Sequence, residues 1–174
     1  MTFRTALRLV FAAVLGTSTL LAAETTYLPG AAELGGLQGA RFSSTLELTN
    51  PGDAAAMATI GLVPMAGKTP PPPVVRTLAA GESVRIEAAL KTLFGLADDG
   101  AGTVTVSSDA ALLASLTTRN VAAAEGPYGL GLFAVPESEL LGAGETGHSI
   151  WVSHSADPKT GYRTNLPVTL VDPG

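Results

Sequence analysis

Two histidines, His148 and His154, stand in or beside the stretch "HSIWVSH". Their even spacing puts both on one face of a strand, but six residues of strand separate them by ~20 Å. A shared metal would need both rings within ~2 Å of it. Asp157 follows His154, yet two side chains do not complete a metal site, and solvated loop histidines account for the pattern. Asp98 and Asp99 in "LADDGAG" offer two local carboxylates, where calcium takes about six to eight oxygens. An Asp-Gly turn explains them more simply. No G-x-S-x-G occurs, and the serines of "GES" and "PES" sit in turn and helix-cap contexts rather than beside a base. "GLGLFAV" precedes no clear helix and reads as a glycine-containing strand, not a phosphate loop. The chain has no cysteine, which excludes disulfides, thiolate metal sites, a cysteine nucleophile and a lipidated N-terminal cysteine. The residues thus point to no catalytic group, cofactor or metal, and to a protein that is not an enzyme.

Aromatic side chains remain. Trp151 is the only tryptophan. If Ile150 and Val152 point inward, Trp151 points outward, and with Tyr162 or Tyr128 it offers a stacking platform for a sugar or peptide. The competing reading, which large exposed aromatics favour, is cover for a sheet edge or a contact between modules.

The elements that would position these groups are strands. In "RFSSTLELTN" Phe42, Ser44, Leu46 and Leu48 alternate with Ser43, Thr45, Glu47 and Thr49, giving a dry face and a wet face. "NPGD" (50–53) then reads as a turn, and "AAAMATIGLVP" resumes with Ala58, Ile60 and Leu62 on one side, so the two strands are expected to form a hairpin. "SVRIE" alternates through Val84 and Ile86, and "GTVTVSS" through Val104 and Val106 with Thr103 and Thr105 outward. "ALLASLTTRN", with Leu112, Ala114 and Leu116 inward, suits a central strand. "GLGLFAV" and "HSIWVSH" supply two more. Glycine-rich turns separate them, a pattern of antiparallel sandwiches. Two stretches look helical: "EAALKTLFG", stopped by Gly95, and "PESELLG", opened by Pro136 and ended at Gly142. Pro70 to Pro73 must be polyproline II and serve as a stiff connection between strands.

Residues 1–23 have the three parts of a secretory leader: Arg4 and Arg8, the apolar run Leu9 to Leu21, and small residues at Ala22 and Ala23. The apolar run is shorter than the ~20 residues a membrane span needs. The chain is expected to be exported to the periplasm, cell surface or medium, with no span after cleavage. Loss of the leader lowers Lys+Arg from 10 to 8 against 15 Asp+Glu, a net charge of about −7. That balance opposes binding to nucleic acid or anionic lipid. A protein or glycan at the cell surface is the expected partner, and strand edges offer self-association.

The end of the chain repeats its beginning. An offset of about 122 residues carries "RFSSTLELTNPG" (41–52) onto "RTNLPVTLVDPG" (163–174), domain-sized rather than the ~20–50 residues of a solenoid repeat. Phe42, Ser44, Leu46 and Leu48 fall on Thr164, Leu166, Val168 and Leu170, so these are expected to point inward, with Pro167 outward at a sheet edge. Residues 24–145 are therefore expected to form one β-sandwich module. Residues 146–174 are then its last, edge strands or the start of a second repeat in a fragment of a longer chain. With "TYLPG" and "LAAGESV", these motifs resemble the repeated immunoglobulin-like β-sandwich modules of uncharacterised secreted bacterial proteins. The resemblance implies an all-β antiparallel sandwich with one or two short helices, and a structural or adhesive accessory role at the cell envelope. It carries no catalytic residue, and the Cys–Trp–Cys core of antibody domains is absent.

Overall fold

The computed structural model describes residues 24–36, 39–96, 99–122, 128–148 and 168–171. The expected leader, Trp151, His154, Tyr162 and Pro167 lie outside these residues. The fold is all-β and mainly antiparallel, with one short helix. Its strands are β1 (Thr25–Gly35), β2 (Arg41–Thr49), β3 (Ala56–Pro64), β4 (Val74–Leu78), β5 (Ser83–Ile86), β6 (Asp99–Ser108), β7 (Leu113–Asn120), β8 (Tyr128–Phe133) and β9 (Val135–Pro136). Helix α1 (Ala89–Phe94) joins β5 to β6.

The strands run in the order β4-β3-β6-β1-β2-β7-β8, with β5 added to β2 and β9 to β1. Strands β1 and β2 are the branch point. They pair only at one end, through Glu33–Gly35 and Arg41–Ser43. Beyond it, β1 keeps β6 on one side and takes β9 on the other. Strand β2 keeps β7 along its whole length and takes β5 through Leu46–Thr49. One sheet thus divides into a β4-β3-β6-β1-β9 branch and a β5-β2-β7-β8 branch. Alternate residues of both meet in one core: Leu28, Ile60 and Val104 from the first, Leu46, Ile86 and Leu116 from the second. This is what the two-residue hydrophobic period demands of half-buried strands.

The hairpin expected between β2 and β3 does not form. Strand β3 pairs with β4 and β6, and the 50–55 connection crosses between branches. Both strands bury an apolar stripe, and they do so from opposite sides of the same core. Asn50 fixes the crossing. It is only 1% exposed, and its Nδ2 donates to the carbonyls of Ala54 (2.8 Å), Leu78 (3.2 Å) and Ala79 (3.0 Å). Its Oδ1 accepts from Gly52 N at 3.0 Å, so both ends of the amide are satisfied.

A chain of hydrogen bonds fills the fork where β1 leaves β2. Ala32 N donates to Ser44 Oγ (2.7 Å), the Ser44 and Thr118 hydroxyls share a bond of 2.7 Å, and Thr118 Oγ1 donates to Gly30 O (2.8 Å). Strand β1 bulges here, its register with β6 shifting between Leu28 and Ala31, and Gly30 has φ 81°. Ser44, aligned with the leucines of β2, is fully buried as its parity requires. Thr45, expected on the wet face, is buried too, and its hydroxyl donates to Glu87 at 3.5 Å.

Helix α1 ends as expected. Gly95 has φ 71°, and the N–H groups of Gly95 and Leu96 return to the carbonyls of Lys91 (2.9 Å) and Leu90 (3.2 Å). "PESELLG" forms only a single 3-10 turn, Glu137–Glu139, because Pro136 is extended and belongs to β9. Pro70 to Pro73 lie outside any strand and lead into β4.

Candidate functional site

An organised polar surface covers the outer face of β5-β2-β7-β8. Residues directly opposite in an antiparallel ladder share a face. The register therefore sets Arg85, Glu47, Ser115 and Phe133 in one row across four strands. The next row holds Thr45, Thr117 and Gly131. Arg85 bridges two carboxylates: its Nη1 lies 2.5 Å from Glu47 Oε1 and its Nε 2.7 Å from Glu87 Oε1. Ser115 Oγ donates to Glu47 Oε2 at 3.4 Å, and the Thr49 and Ser83 hydroxyls share a bond of 2.8 Å. A shallow depression of about 310 Å³ lies among Glu47, Thr49, Ser83 and Arg85.

The electrostatics follow from this geometry. The Arg85 hydrogen bond, and then its charge, hold the Glu87 carboxyl below its ordinary value, with smaller help from Arg119. The same two carboxylates raise Arg85. The carboxylate oxygens of this row accept hydrogen bonds from Arg85 and Ser115. The row can receive hydroxyl and amide donors. At its end Phe133 stands 85% exposed. Its strand neighbour on that face, Gly131, has no side chain, so a flat track lies beside the ring.

A second feature lies at β1, where Tyr27, Pro29 and Thr103 line a groove of about 140 Å³ with Val135, Thr169 and Val171. The Thr103 and Thr169 hydroxyls are hydrogen-bonded. Thr103, expected outward, is buried beneath this cover. Burial, and then the charge of Glu137, raise the Tyr27 hydroxyl above its ordinary value. Val168 and Leu170 are 79% and 90% exposed, so the parity expected from the repeat is reversed there. Thr169 and Val171, not Val168 and Leu170, face the protein. The reason is the surface they meet, a β1–β6 face that offers a hydroxyl at Thr103.

Of the aromatics singled out in the sequence, Tyr128 opens β8 opposite Asn120, while Trp151 and Tyr162 lie outside the described residues. His148 is exposed. Among the described residues no group of three or more metal-ligating side chains gathers. Phe133 was missed, although "GLGLF" carries its signal: the alternation that turns the half-buried Leu132 inward turns Phe133 outward with the glycines. Arg85 and Glu47 were legible only as wet-face residues, since their pairing needs the β2–β5 register.

No protein-family model matches the chain, and no curated protein does. One solved structure, described as "Crystal Structure of Thermotoga maritima 1070", is similar with a TM-score of 0.50 and 16% identity, covering 67% of this chain and 96% of that one. At that identity the likeness is one of fold.

Proposed function

We propose that the chain is an exported, non-enzymatic structural or adhesive accessory module of the cell envelope, built as an immunoglobulin-like β-sandwich. The observation that carries this reading is the outer face of β5-β2-β7-β8, where Arg85, Glu47, Glu87 and Ser115 are bound to one another. Side chains committed in this way stiffen a surface for presentation instead of waiting for a reacting group. One shared core beneath both branches supports the sandwich. The three-part N-terminal pattern and acidic composition support export. The test is to express the full chain with its own N-terminus in a bacterium, fractionate the cells and sequence the N-terminus of the product. A product beginning at Glu24 outside the cytoplasm is expected. Full-length protein held in the cytoplasm would sink the proposal.

A second reading, a carbohydrate- or peptide-binding module, is favoured by Phe133. An exposed ring at the end of a row of hydroxyl, carboxylate and guanidinium groups suits the apolar face and hydroxyl rim of a sugar. Binding on a glycan array that disappears in Phe133→Ala would promote this reading. An array with no signal from the parent protein would remove it.

A further inference from the structure

The two strands that end the order, β4 and β8, are guarded differently. Strand β4 follows four prolines and carries the exposed Arg76, devices that deter a further strand. Strand β8, "YGLGLF", has no charge, no proline and no bulge in its register with β7. Among the described residues nothing pairs with its outer edge. Ala134 N donates to Ala114 O at 3.1 Å. That bond fixes the parity: even residues of β8 face β7, and Gly129, Gly131 and Phe133 turn their N–H and C=O groups outward. Leu130 lies on the core side yet is half exposed, and among the described residues no strand lies beyond β8.

We infer that this edge binds a second copy of the chain, β8 pairing antiparallel with β8 about Gly131. The strand is self-complementary under that two-fold. Gly131 meets Gly131, Leu130 meets Leu132 of the second copy on the core side, and Phe133 comes to Gly129 of the second copy on the outer face, against the Arg119 stem that lies beside that glycine. Aromatic-over-glycine is a stabilising cross-strand pair. The chain is acidic overall, yet this pairing sets no like charges opposite one another. A two-fold contact of this kind closes on itself and forms a dimer, not a filament. It also joins two outer faces into one continuous sheet. The inference does not rest on export or on glycan binding, although Phe133 belongs to both this edge and the glycan reading.

The chain has no cysteine, so a single introduced thiol reports the register. In the paired dimer the two Gly131 Cα atoms lie ~5.5 Å apart, within reach of a disulfide. A Cβ at Gly131 would meet only Thr117 Oγ1, at 3.8 Å, so side chains are accepted there. Sedimentation velocity of the purified protein should show a concentration-dependent dimer. Gly131→Cys should cross-link under mild oxidation. Phe133→Cys should not, because its two thiols would lie ~13 Å apart along the strands. Gly131→Lys should raise the dissociation constant at least about tenfold, with its melting temperature in dilute solution unchanged. A monomer at every concentration, a dimer indifferent to Gly131→Lys, or cross-linking through Phe133→Cys in place of Gly131→Cys would each overturn the inference.

Discussion

Ala32 donates its backbone N–H to the Ser44 hydroxyl at 2.7 Å, at the point where β1 stops pairing with β2. A side chain there does the work of the next rung of the ladder. Ser44 is fully buried, so no water can replace it. Ser44→Ala should therefore leave the part-buried Ala32 N–H unpaired and leave Thr118 with only its bond to Gly30 O, at a cost of about 1–3 kcal/mol. In urea the midpoint should fall with the slope unchanged. An unchanged midpoint would mean that the fork is held by the flanking leucines alone.

Asn50 provides a sharper test, because charge and shape can be separated. Its Nδ2 faces three carbonyl oxygens. Asn50→Asp keeps the shape, removes both donors and sets a carboxylate against those oxygens. A loss of about 3 kcal/mol or more is expected at neutral pH, since the group would be charged, buried and unpaired. Much of it should return when the carboxyl is protonated. The alignment of the chain's two ends puts Asp172 at the position of Asn50, so the repeat matches the turn without matching this clamp.

The sequence made the strands legible and concealed how they meet. The alternation in β2, β3, β6 and β7 predicts the inward residues Leu46, Ile60, Val104 and Leu116, all of them buried. Period two is a local property, and each residue reports its own face. Pairing is not local. Leu46 has Leu116 on one side and Ile86 on the other, 70 and 40 positions away in the chain, and no turn signal records that. Strand β1 runs through Pro29 and Gly30, residues that ordinarily interrupt a strand, because a bulge absorbs Gly30's positive φ. The candidate surface shows the same division. Each of Arg85, Glu47 and Phe133 is legible as a wet-face residue, and only the register sets them in a row.

Acid should weaken the fold through two exposed carboxyls. Glu24 is held below its ordinary value by hydrogen bonds with Ser138, and Glu87 by Arg85. A carboxyl depressed in the folded state contributes stability that is present above its unfolded value of about 4.5 and is lost as pH falls through the folded value. Melting temperature should therefore decline as pH drops below about 4.5. Glu24→Gln and Glu87→Gln should each flatten that decline while leaving the profile above pH 6 parallel to the parent's. Salt should lessen the Glu87 contribution, since an exposed ion pair is screened. Equal slopes in parent and both variants would place the acid sensitivity elsewhere.

The groove at Tyr27 decides how the end of the chain relates to the rest. Thr169 and Val171 lie against Tyr27, Pro29 and Thr103, and the two threonines are hydrogen-bonded. If this cover belongs to the first module, a chain ending at residue 145 should expose Tyr27 and Thr103 and melt lower. A loss of about 1–2 kcal/mol would lower the melting temperature by roughly 4–10 °C in a domain of this size. Tyr27 provides an independent readout. Burial raises its hydroxyl, so its contribution is present below its ordinary value near 10 and is lost as pH rises through the folded value. Shortening the chain should bring the Tyr27 titration, followed by its ultraviolet absorbance with Tyr128 and Tyr162 changed to Phe in the longer chain and Tyr128 in the shorter, back toward 10. Unchanged melting and an unchanged titration would show that residues 146–174 stabilise nothing in the first module, as the start of a second repeat would require.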